Sequence, residues 1–319
     1  MRLTWEQKKR QFRIIYETLY DTPRSQVSDI ATVLNVTRKT ARGRLEEAFD
    51  MGHIVGPHLK RKSFANFKEY VYLLKCKDPL ELYLQYSEDQ DIVYHAGMDG
   101  FSNLWVISKK EIEVDGLLYS GRRSDYYLSF PPDCSWDESA AIMRQMIREF
   151  NSEDYVPQNL IQTHWDEHIV WNDADETLFR EFKYNFRRPA EPIARSHHMW
   201  SGTAHEWLEH LPRYCTIATY YFPESRAAYD PYLFMFETDY DDFIIDLFSQ
   251  LPTTSFFFKV SDKLFAYLFV DRQHLRNLDA GVNDVSQLHI PLLIRELKKR
   301  KIVRNHARAL VAYHWRKDL

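Results

Sequence analysis

Apolar residues recur at helical spacing near the start of the chain. Phe12, Ile15, Tyr16 and Leu19 fall at i, i+3, i+4 and i+7, and Val27, Ile30, Ala31 and Leu34 repeat the pattern, which places two amphipathic helices before Asn35. Thr37 is suited to cap a third helix from about Arg38 to Met51, whose Ala41, Leu45, Ala48 and Phe49 share one face and whose natural stop is Gly52. The period then changes. Strands are predicted at Glu69 to Cys76, Asp91 to Gly97 and Phe101 to Ser108, around a helix that starts near Pro79. A second helix, Trp136 to Phe150, precedes a last strand near Asn159 to Trp165. The order is a helix-turn-helix followed by βαββαβ, the ferredoxin-like plan.

The same pattern occurs twice. Sliding the chain on itself by 163 positions sets Val27, Ile30, Ala31 and Leu34 on Ala190, Ile193, Ala194 and His197, and Thr40, Ala41, Leu45 and Glu46 on Thr203, Ala204, Leu208 and Glu209. The register persists to Asp99 on Asp262, then falls to 150, where Leu160, Ile161, His164 and Trp165 meet Leu310, Val311, His314 and Trp315. The difference is an extra segment in the first copy around Glu111 to Tyr127, expected as a hairpin with Ser120 and Gly121 at its tip. The fold class is therefore α+β, a tandem repeat of a winged helix-turn-helix followed by a ferredoxin-like domain. The expected domains are 1–64, 65–168, 169–229 and 230–319.

Charge separates the two copies. The chain as a whole is mildly acidic, with net charge -4, so contact with nucleic acid must come from a local patch. Between Thr37 and Lys62, seven cations stand against three carboxylates, a local net of +4. Thr37, Arg38, Lys39, Thr40, Arg42 and Arg44 put donors on the face opposite the core stripe, as a helix in the major groove requires. His58, Lys60, Arg61 and Lys62 fall where a winged helix places its wing, in reach of neighbouring phosphates. The bland alternative is a solvated basic helix face. In the second copy, Ser201, Gly202, His205 and Trp207 stand at the positions of Arg38, Lys39, Arg42 and Arg44, so readout there is expected to be lost, with Trp200 and Trp207 packing.

Other chemistry is sparse. Cys76, Cys134 and Cys215 form an odd set with no CxxC spacing, which disfavours a disulfide framework or a thiolate zinc site. His197, His198 and His205 lack a carboxylate or thiolate at ligand spacing, and a core or interfacial histidine is expected at His197 because it matches Leu34. Nine glycines leave little room for a phosphate loop. No signal-peptide core and no membrane-length apolar run occurs, so a cytoplasmic, soluble protein is expected. No cofactor and no metal is called for. Lys298-Lys299-Arg300-Lys301 ends a helix, where cations complement the dipole.

The helix-turn-helix of Val27 to Gly52 and the strand-turn-strand from Asp91 to Val106, with Gly97 and Asp99, resemble the Lrp/AsnC family of transcriptional regulators. That resemblance implies a double-stranded DNA partner, a regulation domain that often senses a small-molecule effector, and dimerisation through its sheet. A fused pair would form a pseudo-dimer within one chain and homo-oligomerise further. Effector-lining residues would be Gly97, Asp99, His164 and Trp165, with Asp262, His314 and Trp315 in the second copy. A rival resemblance is to siroheme decarboxylases of the same two-part plan. It rests on Asn103-Leu104-Trp105-Val106 and the two His-Trp pairs, while Tyr94, Ala96, Met98 and Gly100 replace the histidine and arginine groups expected before that strand. Because a decarboxylase needs no basic recognition helix, the sequence reading is a DNA-binding regulator and not an enzyme.

Overall fold

The computed structural model describes residues 3–272 and 289–316, with no side-chain description at His289 or at 314–316. The chain forms two compact units, one from 1–62 and 169–227, the other from 63–168 and 228–319.

The first unit holds both helix-turn-helix heads. α1 (Trp5–Asp21) is opened by a capping box between Thr4 and Gln7, α2 is Val27–Val33, and α3 (Arg38–Asp50) is capped by Thr37, whose hydroxyl accepts the Thr40 amide at 3.3 Å. Phe12, Ile15, Tyr16, Leu19, Ile30, Ala41, Leu45 and Ala48 form the first core, as their spacing requires. Past α3 the chain turns at Gly52, with φ +74, into β1 (Ile54–Arg61). The second head repeats this with α6 (Asp173–Phe182), α7 (Ala190–Ser196), α8 (Ser201–Tyr214) and β7 (Cys215–Tyr221).

β1 and β7 pair antiparallel, Ile54 opposite Tyr221 and Arg61 opposite Cys215. Each strand thereby enters the other head's core. Tyr221 is buried among the first set of helices, stacked on Tyr16 at 4.9 Å, and Leu59 is buried among the second. Each such side chain contributes roughly 1.5–3 kcal/mol of burial, so the heads stabilise one another.

The second unit is one nine-stranded antiparallel sheet in the order β5-β2-β4-β3-β11-β8-β10-β9-β6. Its first-copy strands are β2 (Tyr70–Leu74), β3 (Ile92–Gly100), β4 (Leu104–Ser108), β5 (Leu117–Arg122) and β6 (Tyr127–Leu128); its second-copy strands are β8 (Tyr229–Glu237), β9 (Phe256–Val260), β10 (Lys263–Asp271) and β11 (Asn305–Arg316). The helices are α4 (Pro79–Glu88), α5 (Trp136–Glu149), α9 (Asp241–Phe248) and α10 (His289–Lys299). In the second copy, β11-β8-β10-β9 is the ferredoxin-like order, and the α+β tandem fold class read from the sequence is the one observed.

Two expectations for the first copy are corrected. Residues 159–165 form no strand, and Ser120 and Gly121 lie inside β5 and not at a hairpin tip. β5 takes the place beside β2 that β11 takes beside β8, and β6, a few residues on, pairs with β9 as the far end of β11 pairs with β3. The fourth strand of the first copy thus precedes its last helix. β5 and β6 are nearly continuous in sequence, with Arg123 bridging to Val260 between them, so one segment reaches both ends of the sheet. Across the interior, Trp105 stacks on Phe258 at 5.9 Å and 10°. The displaced segment is held elsewhere, since the Asp242 carboxylate accepts the amides of Gln158, Asn159 and Leu160 at 2.6, 3.0 and 3.0 Å.

Candidate functional site

On α3, Arg38, Lys39, Thr40 and Arg42 are exposed, and the three cations make no hydrogen bond or ion pair among the described residues. Arg44 is differently placed. Its Nε donates to Gln11 at 2.8 Å, and it pairs with Glu47, which Lys8 also holds. Burial pushes the Glu47 carboxyl up, but Lys8 and Arg44 outweigh it and leave the group below its ordinary value.

β1, which carries the residues expected on the wing, pairs with β7 of the second head. Arg61 lies over the Phe179 and Trp171 rings at 4.2 and 4.8 Å and pairs with Glu176 at 2.7 Å. Lys62 donates to the Pro212 carbonyl at 3.0 Å, Lys60 lies opposite Thr216, and His58 sits beside Tyr184 and Tyr220. His58 and Arg61 thus pack against rings of the second head, and Lys62 bonds its backbone.

In that second head, Trp207 is buried as expected, whereas Trp200 is 76% exposed and lies over Gly202, where a Cβ would come within 2.1 Å of the ring. His197 is not a core residue. It is exposed and bonds Glu181 at 2.9 Å, because the chain leaves α7 through His198 at φ 55.

Of the residues expected to line a ligand site, Gly97 lies on β3 under the Tyr313 ring, Asp99 is exposed at the end of β3, and Asp262 is in the β9–β10 turn. Hydrogen bonds from Lys263 and Tyr119 hold the Asp262 carboxyl down at about 2. The backbones of His314 and Trp315 lie opposite Ala96 and His95; the expectation placed on their side chains lies outside the described ones.

His164 and Trp165 are different. Both lie in the displaced segment, against residues that the sequence reading did not select. The His164 ring stacks on Phe64 at 5.0 Å, with Nδ1 at 2.8 Å from Glu167 Oε1 and Nε2 at 3.2 Å from Asp125 Oδ2. Asp125 is buried, and its other oxygen accepts the Ser63 amide at 2.8 Å. The imidazole thus has a buried carboxylate on one nitrogen and an exposed one on the other.

Trp165 Nε1 donates to the Arg123 carbonyl at 3.1 Å, and Arg122 lies over its ring at 5.2 Å. Arg122 donates to the Phe64 and Trp165 carbonyls at 2.7 and 3.3 Å, with no carboxylate in ion-pair range among the described residues; burial pulls its pKa down. Arg123 is fully buried and forks onto one oxygen of Glu69 at 2.9 and 2.7 Å. Burial opposes its charge, but Glu69 offsets this and the pKa ends above its usual value. An imidazole, a cation without a carboxylate and an indole therefore share one wall of the second unit. That set can hold an anionic, flat substrate and deliver a proton to it. Only the repeat of the His-Trp pair made it visible in the sequence, since Asp125, Arg122 and Glu69 are brought in by long-range pairing.

No protein-family model matches the chain, and no curated protein matches it in sequence. Two solved structures are similar in fold: the siroheme decarboxylase NirDL, at 12% identity over 97% of this chain and 93% of that one with a TM-score of 0.49, and the same protein in co-complex with an iron-uroporphyrin III analogue, at 12% identity over 95% and 92% with a TM-score of 0.44. Both of these structures are of an enzyme, and the expectation that the chain is not one stands against them. No helix among the described residues is long and apolar enough to cross a membrane.

Proposed function

We propose that the chain is an enzyme acting on a carboxylate-bearing tetrapyrrole, of the siroheme-decarboxylase kind, with His164 as its proton carrier. The observation that carries this reading is the placement of His164 between buried Asp125 and exposed Glu167. Asp125 stands at 3.2 Å from Nε2, on the side of the ring away from Glu167, where many catalytic histidines have an aspartate. Glu167, with 64% of its side chain exposed, occupies the place at Nδ1 that a substrate carboxylate can take by displacing it. Arg122 and the Trp165 indole supply a cation and a flat stacking surface next to it.

In the reaction, the bond to a substrate carboxyl breaks, carbon dioxide leaves, and the electron pair stays on the substrate carbon. That carbon takes a proton from His164, which recovers one from solvent on the Glu167 side. The step is redox-neutral. Incubation with siroheme, followed by mass analysis of the pigment, tests it: loss of carbon dioxide by wild type and not by His164→Gln supports the reading.

A second reading concerns the first head alone. The three exposed cations Arg38, Lys39 and Arg42 favour contact with duplex DNA by α3, and a salt titration of duplex binding with Arg38→Ala/Arg42→Ala tests it. Both activities can reside in one chain.

A further inference from the structure

α4 is apolar on two sides. Inward, Leu82, Tyr83 and Tyr86 pack into the first-copy core, and the Tyr83 ring meets His95 edge-on at 4.3 Å. Outward, Leu80 and Leu84 are each 59% exposed. Four positions apart, they are neighbours on one stripe of the helix. Beside α4, Tyr313 of β11 is 49% exposed; its ring stands over Gly97 and meets Tyr83 at 5.2 Å. A surface helix ordinarily keeps polar residues on its outward face, so this apolar stripe asks for a partner.

In the second copy the matching helix is covered. The register of the repeat sets Leu80 and Leu84 on Phe243 and Leu247 of α9. Phe243 meets Phe150, the residue that ends α5, at 4.2 Å, and Leu247 is buried. α5 belongs to the first copy, yet it is held on the second: Ser139 donates to the Gln250 carbonyl at 2.7 Å, and Arg300 donates to the carbonyls of Arg148 and Phe150 at 2.6 and 2.8 Å. α9 thus has a helix against it, while Leu80 and Leu84 of α4 remain open.

We infer that this face of α4 is an interface between two copies of the chain, with the two α4 helices packed antiparallel about a twofold axis. Charge selects a second copy as the occupant. Lys75 and Lys77 against Asp78 leave one positive charge before α4, and Glu88 and Asp89 leave two negative charges at its end, with Glu81 between. Lys77 and Glu88 are exposed and make no hydrogen bond or ion pair among the described residues. An axis near Leu82 sets Leu80 of one copy beside Leu84 of the other and brings Lys77 to Glu88 of the other, each contact occurring twice. A parallel pairing would bring like charges together. This inference is independent of the chemistry at His164.

The test is sedimentation velocity of the full chain over a concentration series, with circular dichroism to establish that each variant is folded. Wild type is expected to pass from one chain mass to two as concentration rises. Leu80→Ser/Leu84→Ser is expected to associate at least about tenfold more weakly, as the loss of a central apolar contact does. Lys77→Glu and Glu88→Lys each set two like-charged pairs across the axis and are each expected to weaken association about tenfold; the double variant, whose pairs are again opposite in sign, is expected to recover it. Wild type that stays a single chain at every concentration, association undiminished in the folded leucine variant, or a double reversal no better than either single one overturns the inference.

Discussion

Asp125 and His164, 39 positions apart in sequence, bring a buried carboxylate oxygen to 3.2 Å from an imidazole nitrogen, and the other oxygen of the same carboxylate holds the Ser63 amide at 2.8 Å. One residue therefore holds the segment after the first head and stands beside the ring proposed to carry the proton. Asp125→Asn keeps the shape and removes the charge. Turnover is expected to fall by about 10²–10⁴-fold, the usual value of a positioned proton carrier, with substrate affinity changed only a few-fold. Single-turnover kinetics beside a binding titration separate the two; an equal loss in both would make Asp125 structural only.

Arg123 is fully buried and its charge is matched by Glu69. Glu69→Gln leaves that charge without its carboxylate and is expected to cost about 3 kcal/mol. Urea unfolding followed by tryptophan fluorescence measures it, and a change below about 1 kcal/mol would show that the Ser124 carbonyl and the Tyr126 ring suffice.

In the second head, Glu181 bonds His197 and Arg188, and these contacts hold its carboxyl below the ordinary value. A carboxyl depressed on folding contributes stability that is complete above the unfolded value of about 4.3 and is lost as pH falls through the lower folded value. The thermal midpoint is therefore expected to drop below about pH 4.3, and less steeply in Glu181→Gln. Identical slopes in the two proteins would remove Glu181 from the account.

Gly56 adopts φ +94, and a Cβ there would stand 2.5 Å from the Ala218 carbonyl oxygen on β7. Backbone on one strand cannot yield as a side chain would. Gly56→Ala is expected to destabilise the paired heads by about 1–3 kcal/mol, seen as a lower denaturation midpoint. An unchanged midpoint would mean that the β1–β7 ribbon adjusts freely.

Hydrogen exchange tests the strand exchange in the first copy. Amides within β5 are expected to exchange slowly, along with those of Gln158, Asn159 and Leu160 on Asp242, while Ile161 exchanges fast. Protection running continuously through 159–165 would restore the strand read from the sequence.

The helices of both heads were legible because their signal is local: Phe12, Ile15, Tyr16 and Leu19 must share a face whatever lies opposite. The repeat was legible for the same reason. The fourth strand of the first copy was not, since Leu160, Ile161, His164 and Trp165 still match Leu310, Val311, His314 and Trp315 in type, while the place beside β2 is decided by competition with 117–122, which no local pattern records. Arg61 shows the same limit. Its sequence context suggests a wing, and only the pairing of β1 with β7 turns it onto Phe179. At the candidate site, His164 and Trp165 stood out as a repeated pair, but Asp125, Glu69 and Arg122 had no signal until the sheet brought them together.

The most direct measurement is an absorbance titration of the chain with siroheme, followed by mass analysis of the pigment after incubation. Saturable binding with loss of carbon dioxide, abolished by His164→Gln in a protein that still binds, is the expected result. No tetrapyrrole binding, or binding with the carboxylates intact, by a folded chain that holds duplex DNA at low salt would contradict it.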